Sequence, residues 1–186
     1  MGNLTLILGG ARSGKSMFAE RLAERGNRQV LYIATARGLD EEMTARIASH
    51  RQKRPSTWQT MEIPMNVGRV LQSQTIPSDA VLLDCLTLLV SNRVMEASTD
   101  VDQPDEKLAK FLVQQEIDDL LTCIKASRAE WIIVSNEVGL GLVPPYPLGR
   151  LYRDLLGWAN QELAAASDQV YFMVAGLPWK LIPLHE

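Results

Sequence analysis

Leu4-Thr5-Leu6-Ile7-Leu8 runs straight into Gly9-Gly10-Ala11-Arg12-Ser13-Gly14-Lys15-Ser16, and Met17-Phe18-Ala19-Glu20-Arg21-Leu22-Ala23-Glu24 follows with the composition and spacing of a helix. A buried strand, a glycine turn and a helix N-terminus are what a phosphate-binding loop requires. Glycines let successive backbone N–H groups point inward around the phosphates, and the helix dipole favours their charge. In that pattern Lys15 reaches the β- and γ-phosphates, and the Ser16 hydroxyl is a ligand of the Mg²⁺ that bridges them. The motif specifies a nucleoside triphosphate and leaves the reaction open.

Outward from this loop, short apolar runs alternate with helical segments. Gln29-Val30-Leu31-Tyr32-Ile33-Ala34 reads as a second buried strand, and Thr35-Ala36-Arg37 begins the loop at its carboxyl end, where parallel sheets bind their ligands. Asp40 as N-cap with Glu41 and Glu42 in the first turn predicts a helix that continues to before Pro55, placing Met43, Ile47 and His50 on one face. Residues 57–62 are expected to form a weaker strand and residues 66–73 a short helix.

Ala80-Val81-Leu82-Leu83-Asp84 is a clear central strand that delivers a carboxylate to the carboxyl edge, and with the phosphate loop upstream Asp84 is assigned to the Mg²⁺ site. Further helices are expected over 86–97, 108–127 and 148–167, and strands over 131–135 and 169–175. Residues 98–106 read as a mobile polar loop, and 179–183 as an edge strand after a break at Gly176-Leu177-Pro178. The alternation describes one α/β domain over residues 1–186, with a mostly parallel sheet, helices on both faces and an antiparallel edge strand.

The totals exclude several classes. At 186 residues and 46% hydrophobic, the chain is long enough for one substantial core. Its 19 basic and 22 acidic residues leave a net charge of −3, too balanced to announce a nucleic-acid partner. The two cysteines, Cys85 and Cys123, fit neither a zinc motif nor a disulfide framework. No apolar window of membrane-spanning length occurs, so a cytoplasmic protein is expected. No Asn-Lys-x-Asp element follows the later strands, which weighs against a signalling GTPase and favours a small-molecule kinase. The residues themselves leave His50 open between a packed side chain and a member of a phosphate-handling face with Arg46, Arg51, Lys53 and Arg54.

Several ordered motifs together resemble the bifunctional adenosylcobinamide kinase and adenosylcobinamide-phosphate guanylyltransferase family of cobalamin biosynthesis. They are the loop at 9–16, Ala34-Thr35-Ala36, Asp40-x-Glu42-Met43-x-x-Arg46-Ile47-x-x-His50, Arg54-Pro55-x-x-Trp58-x-Thr60-x-Glu62, Leu83-Asp84-Cys85-Leu86-Thr87 and Asn136-Glu137-Val138-Gly139-x-Gly141. Leu148-Gly149-Arg150, Arg153-Asp154, Asn160-Gln161 and Gly176-x-Pro178 extend the likeness.

The resemblance implies a kinase step that uses ATP or GTP, then GMP transfer from GTP through a covalent GMP-histidine, at His50 by position. It implies nucleotide contacts at Ala34, Thr35, Ala36, Arg51, Gln52, Lys53, Arg54, Glu62 and Asp84 besides the phosphate loop. It also implies a corrinoid substrate and a homo-oligomer, a trimer in similar proteins. A kinase of another hydroxyl compound, with His50 structural, and a nucleotide-dependent regulatory protein are the alternatives.

Overall fold

The structure, a computed structural model, describes residues 3–26, 28–37, 55–74, 78–98 and 100–181. Among them a sheet runs in the order β3-β2-β4-β5-β1-β6-β7. The strands are β1 (Leu4–Gly9), β2 (Val30–Ala34), β3 (Gln59–Glu62), β4 (Ala80–Asp84), β5 (Glu130–Val134), β6 (Gln169–Val174) and β7 (Leu177–Leu181). All neighbours are parallel except β6 and β7. Every residue of β1 and β2 is buried, as are most of β4 and β5, which is why these strands read as unbroken apolar runs. The edges β3 and β7 are largely exposed and read more weakly.

The helices are α1 (Lys15–Ala23), α2 (Val67–Gln72), α3 (Leu86–Ala97), α4 (Glu106–Ala126) and α5 (Pro147–Ala166). Alternate strand residues feed two cores. Leu6, Ile33, Leu83 and Ile133 pack with α2 to α5 on one face. Ile7, Tyr32, Leu82 and Ile132 pack with α1 on the other. Gly68 of α2 lies so close to α4 that a Cβ there would stand 2.3 Å from the Asp119 carbonyl carbon, so only glycine permits that helix contact.

Two expectations change. The run expected as a mobile loop is a hydrogen-bonded connection over residues 100–105. The Asp100 carboxylate accepts from the amides of Asp102 and Gln103, Leu148 donates to the Val101 carbonyl, and Asp105 caps α4 through the Leu108 amide. The break falls at Ala175-Gly176, and the edge strand starts at Leu177 rather than at Trp179. Ala175 and Gly176, at φ 50° and 83°, form a tight turn, and β7 starts at once with Pro178 opposite Met173 on the sheet edge, where a missing N–H is tolerated. The helix expected between Asp40 and Pro55 lies outside the described residues.

The strand order decides where ligands can sit. β1 and β5 are parallel neighbours, yet β1 leads into α1 on one face while β5 leads, through residues 135–146, to α5 on the other. A crevice opens at the carboxyl ends of such a pair. The phosphate loop stands at that crevice.

Candidate active site

The loop between β1 and α1 is shaped by residues that other side chains could not replace. Gly9, at φ 151°, lies so close to β6 that a Cβ would meet the Met173 carbonyl oxygen at 2.7 Å and the Ser13 hydroxyl at 2.8 Å. Gly14, at φ 94°, is the N-cap of α1 and touches the β6–β7 turn, whose Gly176 amide donates to the Ser13 carbonyl at 2.9 Å. The last hairpin therefore braces the loop from outside. Inside it, the Ser13 hydroxyl is buried with no hydrogen-bond partner among the described residues. An orphaned polar atom in a glycine-lined turn is what an arriving phosphate oxygen would satisfy.

Lys15 and Ser16 are the first two residues of α1. The Lys15 side chain curls over the loop, and its Nζ donates to the Gly10 carbonyl at 2.6 Å. It is only 8% exposed, so it holds a charge largely removed from water. Burial pushes its ammonium below the ordinary lysine range, with Cys85 and Asp84 acting in the opposite direction. A triphosphate would add counter-charge to that of Asp84. Ala11 and Arg12 are exposed at the tip, and Arg12 takes a left-handed φ of 56°.

Across the crevice, β2, β3 and β4 end level with one another, because Ala34 registers with both Glu62 and Asp84. Asp84 is half-buried, and its Oδ2 accepts from the Tyr32 hydroxyl at 2.8 Å, while Tyr32 stacks on Trp58 at 6.3 Å. The carboxylate is thus oriented by a partner that is itself packed. Thr35 is wholly buried. Its hydroxyl donates to the Cys85 carbonyl at 2.7 Å and accepts from the Cys85 amide at 2.9 Å, so it holds the chain after Asp84 in place. Asn92 donates to the Thr35 and Pro64 carbonyls and ties both loops to α3. Ala36 follows half-buried, and Glu62 is exposed at the end of β3. His50, Arg51, Gln52, Lys53 and Arg54 lie outside the described residues.

Cys85 adjoins Asp84, and its thiol is pushed up to about 11 by burial and by the Asp84 carboxylate. At pH 8 about one in a thousand Cys85 side chains is then a thiolate. Iodoacetamide is expected to modify Cys85 of the native protein negligibly at pH 8 and increasingly as the pH rises towards 11, read by mass spectrometry. Rapid modification at pH 8 would contradict the raised thiol pKa.

The family described as cobinamide kinase / cobinamide phosphate guanyltransferase matches residues 5–181, which takes in the loop, the level strand ends and the closing hairpin. The chain belongs to that family. The bifunctional adenosylcobalamin biosynthesis protein CobU of Escherichia coli (strain K12) is 41% identical over 181 residues, 96% of this chain and 99% of the relative. Its namesake from Salmonella typhimurium is 40% identical over 180 residues, again 96% and 99%. The bifunctional adenosylcobalamin biosynthesis protein CobP of Pseudomonas aeruginosa is 44% identical over 176 residues, 95% of each.

Within this member of the family, sequence reasoning missed how the site is supported. Glu116 of α4 is 1% exposed. It accepts from the Asn66 and Val67 amides at 2.7 and 2.8 Å, capping α2, and from Arg93 of α3 at 2.7 Å. Arg93 also donates to Glu96 and Asn66. Burial lowers the pKa of its guanidinium, but Glu96 and Glu116 outweigh that and hold it above the ordinary arginine value. The signal was in the spacing. Ala109, Val113, Leu120 and Cys123 form an apolar helix stripe, and Glu116 interrupts it at a position every neighbour buries. Arg93 does the same on α3 between Leu89 and Val94.

Among the described residues no helix is long and apolar enough to cross a membrane.

Proposed function

We propose that the chain, acting as one nucleotide-binding domain, transfers the γ-phosphoryl group of a nucleoside triphosphate to the aminopropanol hydroxyl of adenosylcobinamide. It then transfers GMP from GTP to the new phosphate. The carrying observation is the preformed phosphate loop, with its unsatisfied Ser13 hydroxyl and desolvated Lys15, in a chain of the cobinamide kinase / guanyltransferase family.

In the first step the substrate hydroxyl oxygen bonds to the γ-phosphorus and a nucleoside diphosphate leaves. Amides of the phosphate loop and Lys15 neutralise the charge spread over the equatorial oxygens. In the second step an imidazole nitrogen of His50 attacks the α-phosphorus of GTP and pyrophosphate departs. The cobinamide phosphate oxygen then displaces His50, giving adenosylcobinamide-GDP. Ala34, Thr35, Ala36, Arg51, Gln52, Lys53, Arg54, Glu62 and Asp84 form the guanine-nucleotide side of the site. The level ends of β2, β3 and β4 support that grouping for Ala34, Glu62 and Asp84.

Mg²⁺ fits the donors present. The Ser16 hydroxyl and the Asp84 carboxylate are hard oxygen ligands, and Mg²⁺ is commonly held by one or two such groups together with substrate phosphates. The described residues contain no group of three or more His, Cys, Asp or Glu side chains that could hold a metal alone, and phosphate-assisted binding needs none. When bound, the ion would neutralise developing charge on the phosphates.

GTP labelled at the α-phosphorus is expected to leave an acid-labile, alkali-stable label on the protein, and His50→Ala is expected to lose all of it. An unlabelled wild type would overturn the transferase half. Direct assay of adenosylcobinamide phosphorylation separates this reading from a kinase of another hydroxyl compound.

We infer a homo-oligomer, a trimer by resemblance. Leu140 and Leu142 are 80% and 97% exposed after β5, and Trp179 is 68% exposed on β7, which supports contacts between copies. Analytical ultracentrifugation is expected to show a mass well above one 20.7 kDa chain; a monomer at micromolar concentration would refute it.

A further inference from the structure

The motifs Asn136-Glu137-Val138-Gly139, Arg153-Asp154 and Asn160-Gln161 find no role in the nucleotide site just described. They come together around one recess of about 570 Å³, between β1, the chain that leaves β5 and α5. Leu8 of β1 and Trp158 are its apolar walls, and Glu137, Arg153, Asp154, Asn160 and Gln161 its polar ones. It adjoins the phosphate loop directly, because the Glu137 amide donates to the Gly9 carbonyl at 3.0 Å.

The wall beside the loop is held from two sides. Arg153 donates to the Gly139 carbonyl at 2.7 Å, and Asn160 bridges the Ser135 hydroxyl and the Asn136 carbonyl. The Glu137 carboxylate is fixed through one oxygen, which accepts from the Gly139 amide at 2.6 Å. A Cβ on Gly139 would stand 2.8 Å from that oxygen, so the glycine leaves room for the carboxylate in this position. The recess is walled by β1 and the chain that leaves β5, whereas the guanine side is placed at the ends of β2, β3 and β4, on the other side of β5 in the sheet order.

We propose that this recess is the acceptor site of the kinase step, taking the amide-and-hydroxyl arm of the corrinoid, and that Glu137 receives the proton of the arm's hydroxyl. This rests on the function proposed above. The volume is of the class that encloses a drug-sized fragment, too small for a whole corrinoid, so the arm enters and the macrocycle stays outside. The arm is uncharged, with methyl and methylene groups beside an amide and an alcohol. It matches walls that pair an indole and a leucine with hydrogen-bonding side chains. As the hydroxyl oxygen bonds to the γ-phosphorus, the bond from that phosphorus to the bridging oxygen breaks, the nucleoside diphosphate leaves with the electron pair, and the hydroxyl proton passes to Glu137. The other recess of similar size, lined by Asn3, Asp79 and the Arg28–Glu130 ion pair, is at the amino ends of the strands and cannot present an acceptor to the phosphates.

The test measures adenosylcobinamide phosphorylation and GTP-derived labelling of His50 on the same preparations. Glu137→Gln is expected to lower kcat of phosphorylation about 100-fold or more with KM for adenosylcobinamide changed less than about threefold, as loss of a general base does. Gln161→Ala, on an exposed position, is expected to raise that KM severalfold with kcat little changed. Both variants should keep wild-type labelling, which also reports that they fold. Wild-type kinetics in both variants, or parallel loss of labelling and phosphorylation in both, would overturn the acceptor site. A wild-type protein that does not phosphorylate adenosylcobinamide would instead overturn the function on which the site rests.

Discussion

Replacing Lys15 by alanine is expected to lower adenosylcobinamide phosphorylation by about 10²–10³-fold, equivalent to roughly 2.7–4 kcal/mol of transition-state stabilisation, the range for removing one preorganised donor. The protein should remain folded. Lys15 makes one side-chain hydrogen bond among the described residues, to the Gly10 carbonyl, and its ammonium is disfavoured by burial before any phosphate arrives. Its removal relieves a desolvated charge, so the thermal midpoint without nucleotide should stay level or rise. The upward shift that GTP confers on the wild type should largely vanish, because stabilisation by a ligand scales with the logarithm of its concentration over Kd. Lys15→Arg is not expected to rescue activity, since a planar fork does not fit where a compact ammonium curls over the loop. Retention of full activity by Lys15→Ala would remove the phosphate loop from the mechanism.

Glu116→Leu is expected to destabilise the protein by about 3 kcal/mol, towards the low end for breaking a buried ion pair, because Arg93 keeps its half-exposed partner Glu96. Arg93 would keep a guanidinium that is 3% exposed, and the amides of Asn66 and Val67 would lose their acceptor at the start of α2. Urea unfolding at pH 7 should read the loss as a lower midpoint with an unchanged slope. The double replacement Arg93→Met with Glu116→Leu should recover much of it, because the two charges then leave together. Equal stability of Glu116→Leu and wild type would contradict the network. The exposed pair Arg69–Asp119, by contrast, should contribute under about 1 kcal/mol.

These two residues show where a sequence is readable. Lys15 was legible because glycines, lysine and serine at fixed spacing after an apolar run have one physical use. The central strands were legible because burial on both faces leaves nothing but apolar side chains. Glu116 and Arg93 were passed over because charged residues on a long helix are usually solvated, and only their alignment with an apolar stripe marks them as buried. The bonds of the Thr35 hydroxyl to both sides of Cys85 are set by a contact 50 residues away in the chain and are therefore absent from any local pattern. The start of β7 was misplaced for a related reason. Pro178 is a breaker by local rules, but at a sheet edge it costs no ladder bond. The recess beside Glu137 depends on α5 meeting the chain after β5, and neither segment indicates that meeting alone.

The place of β1 within the sheet bears on how the protein is made. Its Leu4 amide is bound by the carboxylate of Asp168, 164 residues further along, and its other flank awaits β5. At about 5–20 residues per second, ribosomes would take roughly 10–30 s to deliver Asp168. Until β5 emerges the first apolar strand has neither neighbour, and until β6 emerges it has only one, so a nascent chain presents a ready target for chaperones and for mispairing. The hairpin that braces the phosphate loop, through the Gly176 amide on the Ser13 carbonyl, is later still, so the loop gains its outer support only after both flanks of β1 are filled.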